Sequence, residues 1–130
     1  MEKSVKQSFE KVSMPKITRI QLVKYAGASG DFNPIHTDEE FAKNSPLKGL
    51  IAHGMLSMGF LTQYVEKIAG DPLLVHDVSV QFRGIVRPDD VVTLEAHELE
   101  SDDELRKLQL VIKNQNEAIV LKGEAIIKNK

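Results

Sequence analysis

The run Ser29-Gly30-Asp31-Phe32-Asn33-Pro34-Ile35-His36 sets a carboxylate and an imidazole five residues apart. Pro34 stiffens the segment, and loops held between rigid elements often carry reactive groups. A carboxylate and an imidazole within reach of one another can share one water and move its protons. The plain alternative is that Asp31 and Asn33 only form turns and that His36 is an ordinary packed or surface histidine. A second segment, Gly49 to Gly54, leads into a long apolar stretch that reads as a helix. Unpaired backbone N–H groups near Gly54 and Met55 would then face outward beside the positive end of the helix dipole. Donors placed there stabilise an oxyanion, such as the enolate-like oxygen of a thioester whose adjacent carbons gain or lose water. Here too a plainer reading stands: His53 and Gly54 serve only helix entry and close packing.

Other chemistries fit less well. His36, Asp38 and His53 are ligand types for zinc or iron, but they do not form the compact helical spacing of a His-Glu-x-x-His site, and no metal is expected. Ser57 lacks a Gly-x-Ser-x-Gly elbow, which argues against a serine hydrolase. His76 and His97 fall in predicted strands and take structural or surface roles by default. Arg83 and Arg87 read as solvated charges that can meet phosphates.

The elements that must position Asp31 and His36 follow from local pattern. Thr18 and Gln21 make a capping box ahead of Ile20, Val23 and Tyr25, which predicts a helix from Arg19 to Ala28 that stops at Ser29 and Gly30. Asp38 caps a short turn through Glu39, Glu40 and Phe41. His53 to Ala69 is apolar on nearly all sides and predicts a buried helix closed by Gly70-Asp71-Pro72. Gly54 and Gly59 within it weaken a helix by about 1 kcal/mol each, so close packing or ligand approach should offset them. Beyond it, alternation at Val78, Val80 and Phe82, at Val92, Leu94 and Ala96, at Leu108, Leu110 and Ile112, and at Ile119, Leu121, Gly123, Ala125 and Ile127 predicts four hairpin-linked strands. Ser101 to Glu104 also permits a helix start before Lys113. With an early strand around Phe9 to Ser13, the chain reads as α+β, one antiparallel sheet around one buried helix.

Composition agrees with one folded domain spanning 1–130. The chain has 130 residues, 42% hydrophobic and 28% charged. Its 17 basic and 19 acidic residues are interspersed, so no nucleic-acid partner is expected. There is no cysteine, which removes disulfides and thiolate chemistry and suits a reducing cytoplasm. The charged start Met1 to Glu10 has no apolar run, and Gly49 to Val65 is interrupted by His53 and Gln63, so neither secretion nor membrane spanning is expected.

Taken together, Tyr25 to Gly59 closely resembles the MaoC-like family of R-specific enoyl-CoA hydratases and (3R)-hydroxyacyl-ACP dehydratases. The likeness lies in the 29 to 36 run followed by Ile51-Ala52-His53-Gly54-Met55. It implies the hot-dog fold, a sheet wrapped around a long central helix. It also implies that Asp31 and His36 activate water, that Asn33 orients them, and that the Gly54 N–H binds the thioester oxygen. The supporting hydroxyl of such hydratases falls on Thr62, with Ser57 as the alternative. Met55, Met58 and Leu61 are candidates for the wall of an acyl tunnel near the interface of a homodimer. The implied reaction is reversible hydration of trans-2-enoyl thioesters to (3R)-3-hydroxyacyl thioesters, with no cofactor beyond the CoA or phosphopantetheine that the substrate carries. Rival readings are a dehydratase acting on acyl-carrier-protein substrates, a non-catalytic module that binds acyl thioesters, and a thioesterase on the same fold.

Overall fold

A computed structural model of the protein describes residues 7–130; residues 1–6, part of the charged start, lie outside the described residues. The elements run β1 (Val12–Ser13), α1 (Arg19–Ser29), a 3-10 turn at Pro34–His36, α2 (Glu39–Lys43), α3 (Gly54–Ala69), a second 3-10 turn at Pro72–Leu74, β2 (Val75–Phe82), β3 (Thr93–Ser101), β4 (Leu105–Lys113) and β5 (Ile119–Lys128). All strand pairs are antiparallel, and the sheet order is β1-β3-β4-β5-β2. The central helix α3 packs on β2, β4 and β5, giving the wrapped-helix architecture that the resemblance implied.

Local chemistry accounts for the helices. Both halves of the Thr18–Gln21 capping box form, and Gly30 closes α1 in the left-handed region at φ 77°. Asp38 accepts the Phe41 N–H and caps α2. Gly70, at φ 84°, closes α3. The two-residue period sets the sheet's inner face: Leu94 and Ala96, Leu108, Leu110 and Ile112, and Leu121, Ala125 and Ile127 are fully buried against Leu61, Val65 and their neighbours.

Three expectations need correction, and of the two readings of Ser101 to Lys113 the strand holds. The strands are not a chain of hairpins, because β2 pairs with β5 at the far edge and the chain crosses the sheet before β3. The early strand is only Val12–Ser13, extended by a bridge between Ser8 and His97. Ser101 to Glu104 starts no helix: the Asp102 carboxylate accepts the Glu104 and Leu105 N–H groups in a turn between strands. Finally, α3 is not buried on every side, since Met55, Gly59 and Gln63 form an exposed stripe at helical spacing. A methyl group on Gly59 would meet nothing, whereas one on Gly54 would lie 3.0 Å from the Phe82 ring. Only Gly54 therefore has the close packing that was expected of both.

Candidate active site

After Gly30 the chain leaves α1 into a loop built from its own side chains. Ser29 Oγ accepts the Asp31 N–H at 3.1 Å, Asp31 Oδ1 accepts the Asn33 N–H at 3.2 Å, and Asn33 Oδ1 accepts the Ile35 N–H at 3.1 Å. Three successive turns of this kind give the loop a fixed path, because each side chain bonds the backbone two residues on. The Asn33 carbonyl also accepts the His36 N–H at 3.1 Å. Asn33 is thus bonded through its backbone to both Asp31 and His36, and its side chain caps the 3-10 turn that carries His36.

The turn is then tied to the segment before α3. Ile51 donates its N–H to the Ile35 carbonyl, and His36 Nδ1 lies 2.8 Å from the Ile51 carbonyl oxygen. A carbonyl only accepts, so Nδ1 bears the proton and, in the neutral ring, Nε2 presents a lone pair. That lone pair faces Asp31 Oδ2 at 3.7 Å, with the carboxylate half exposed and the imidazole nearly buried. The gap is too long for a direct hydrogen bond and short enough for both atoms to touch one water.

The segment 47–52 is itself clamped. Arg87 donates to the Leu47 carbonyl at 2.5 Å and to the Leu50 carbonyl at 3.3 Å, and Ala52 donates to the Val86 carbonyl. Arg87 is therefore no free surface charge, as its sequence context suggested. It fixes the strip of chain whose carbonyl sets the His36 tautomer. Nothing in the local sequence signals this, since the carbonyls lie 37 and 40 residues upstream.

His53 precedes α3 and is 2% exposed. Its Nε2 lies 3.2 Å from the Asp31 carbonyl oxygen, and its ring stacks on His36 with centroids 3.7 Å apart at 23°. Tyr25 meets the same ring edge-on at 4.7 Å. Burial pushes the imidazole below its ordinary range; the bond to the Asp31 carbonyl opposes that shift and nearby His36 reinforces it. Asp31, His36 and His53 offer donor atoms within 4.8 Å of one another, whereas Asp38 is spent on the α2 cap. Each imidazole donates from one ring nitrogen to a backbone carbonyl, which leaves His36 Nε2 and His53 Nδ1 without a hydrogen bond among the described residues.

At the start of α3, the N–H groups of Gly54 and Met55 have no backbone acceptor among the described residues, and the first bond of the turn is Leu56 N–H to the His53 carbonyl at 3.1 Å. Gly54 is itself exposed, at the positive end of the helix dipole and directly after the segment 51–53 that anchors His36. Further along α3, the Thr62 hydroxyl donates to the Met58 carbonyl at 2.9 Å and Ser57 is buried; no hydrogen bond joins either to Asp31 or His36 among the described residues. Met55 is exposed, Met58 half-buried and Leu61 sealed in the core. The groove that reaches His36, about 560 Å³, has Ile20, Val23 and Leu50 as its apolar wall, with Arg19 and Lys24 at its rim.

A family model described as a MaoC like domain matches residues 1–120. The 3-hydroxybutyryl-CoA dehydratase of Methylorubrum extorquens is 30% identical over 115 residues, which are 87% of this chain and 73% of that protein. The (R)-specific enoyl-CoA hydratase of Aeromonas caviae is 30% identical over 111 residues, 83% of each chain. A solved structure of the (R)-hydratase from A. caviae involved in PHA biosynthesis superposes with a TM-score of 0.85 at 27% identity, covering 98% of this chain and 97% of that one. Sheet, central helix and sequence agree over nearly the whole chain: it belongs to the MaoC-like domain family.

Proposed function

We propose that this chain, acting as one domain over 1–130, catalyses reversible hydration of trans-2-enoyl thioesters to (3R)-3-hydroxyacyl thioesters, as the names of its relatives suggest. The observation that carries the reading is the 3.7 Å gap between Asp31 Oδ2 and His36 Nε2, with the His36 tautomer set by the Ile51 carbonyl. One water held in that gap loses a proton to the pair as its oxygen bonds to the β carbon. The C=C π electrons move toward the thioester oxygen, where the Gly54 N–H stabilises the developing charge, and the pair returns a proton to the α carbon. Dehydration is the reverse. The two groups act as a coupled unit, so acid and base roles belong to the pair. No cofactor is required, since the thioester brings its own CoA or phosphopantetheine.

We further infer a homodimer that joins sheets edge to edge. The outer edge of β2 has no partner strand among the described residues, and Phe82 on β2 and Met55 beside it on α3 are both more than half exposed. No helix among the described residues is long and apolar enough to cross a membrane. The cysteine-free composition is consistent with a cytoplasmic enzyme.

The test is loss of the conjugated enoyl absorbance with a series of trans-2-enoyl-CoA chain lengths, followed by chiral analysis of the product. The expected result is formation of the R alcohol by the parent protein and its loss in Asp31→Asn and His36→Ala. A parent protein that leaves every chain length unchanged, or an S product, refutes the reading.

A further inference from the structure

We propose that His53 is a positioning residue for this chemistry, holding Asp31 by its backbone and His36 by its ring face so that the two reacting side chains keep their separation. The inference rests on the hydratase reading and deepens it.

His53 is placed where a packing residue would be apolar. Its ring is 2% exposed, yet Nδ1 is sealed from solvent with no hydrogen-bond partner among the described residues. A buried polar atom left bare costs roughly 1–3 kcal/mol, a penalty that a phenylalanine or leucine would avoid. The other nitrogen supplies the offsetting reason: Nε2 donates to the Asp31 carbonyl 22 residues upstream. Because that carbonyl only accepts, the proton stays on Nε2, and the bare Nδ1 follows from the same constraint.

The second hold is the stack. His36 is fixed in its plane by the Nδ1 bond to Ile51 and across its face by His53 at 3.7 Å. Tyr25 meets the His53 ring edge-on at 4.7 Å and adds a second aromatic contact to it. Asp31 is held at three points, at its N–H by Ser29 Oγ, at its carboxylate by the Asn33 N–H and at its carbonyl by His53. Removing His53 frees one anchor of each reacting residue at once. The titratable groups facing His53 are Asp31, His36 and Tyr25, and its burial disfavours the charged form of its ring.

Two substitutions separate the holds. His53→Phe keeps a flat ring and deletes the donor; His53→Gln keeps a donor and deletes the ring. Each is expected to lower kcat about 10- to 100-fold with KM changed less than about threefold, since small misplacement of reacting groups acts on the chemical step. In an Asp31→Asn background His53→Phe, which deletes only the hold on Asp31, should cost less than about threefold, because the residue through which that hold acts no longer functions. A substrate-free measurement accompanies the kinetics: in ring ¹⁵N spectra, the His36 Nε2 resonance should move on Asp31→Asn in the parent and stay still in His53→Phe. A parent inactive on every enoyl thioester would refute the hydratase reading, while the resonance shifts would still decide the positioning role. Equal kinetic losses from His53→Phe in both backgrounds, an Asp31→Asn shift that persists in His53→Phe, or loss of folding in both variants would overturn the proposal.

Discussion

Asp31→Asn separates chemistry from folding because of what the asparagine retains. Asp31 Oδ1 accepts the Asn33 N–H at 3.2 Å, and the side-chain oxygen of asparagine can accept the same bond. The carboxylate is 51% exposed, so no buried charge is created or stranded. Stability should change by less than about 0.5 kcal/mol, a melting shift under about 3 °C. At the other oxygen the substitution replaces an anionic acceptor, 3.7 Å from His36 Nε2, by a neutral amide. A positioned acid–base group contributes about 10²- to 10⁴-fold, or roughly 2.7–5.5 kcal/mol of barrier, and kcat should fall within that range. Initial rates of enoyl absorbance loss measure it, alongside a thermal melt of the same preparation. A kcat within about threefold of the parent at unchanged melting temperature would refute the assignment of the water to this gap. A melting loss beyond about 5 °C would instead refute the claim that the turn survives.

Three further outcomes follow from geometry. Arg87→Gln removes charge-assisted bonds to the Leu47 and Leu50 carbonyls and should cost roughly 1.5–3 kcal/mol in urea unfolding, with a parallel loss of activity because the Ile51 carbonyl is carried by the same strip. Gly123→Ala should destabilise by roughly 1–3 kcal/mol, since its methyl would sit 2.3 Å from the Ser79 carbonyl across the β2–β5 pair; a neutral melt would mean that the two strands part easily. The folded value of His53 lies below its ordinary 6.5, so the unfolded chain takes up a proton first as the solution is acidified. The His53 contribution is accordingly complete above about pH 6.5 and is lost as pH falls from there through the lowered folded value, and the parent's melting temperature should decline more steeply over that window than that of His53→Gln.

What the sequence disclosed was local. The Thr18–Gln21 box, the Gly30 stop, the Asp38 cap and the alternation at Leu108, Leu110 and Ile112 each depend on residues within a few positions of one another, and all appear in the structure. The partner of β2 was not legible, because a two-residue period says which face is covered and nothing about which strand lies alongside. Of the site, the loop from Ser29 to His36 was readable as a pair of reactive groups on a stiff segment. The roles of Arg87 and His53 were not, since one grips carbonyls 37 and 40 residues away and the other a carbonyl 22 residues away. Met55 and Leu61 illustrate the same limit: both are apolar positions of α3, yet one is exposed and the other sealed, a distinction made by the sheet and not by the helix.

The ladder of self-bonded turns from Ser29 to Ile35 holds the Asp31 end of the pair by neighbours in sequence alone. Asp31, His36 and Gly54 all fall within residues 29–54, whereas the Ile20 and Val23 that wall the groove at His36 come from the neighbouring helix. Such a division lets substitutions at Ile20 or Val23 reshape that groove generation after generation without disturbing the turns that hold Asp31 and His36.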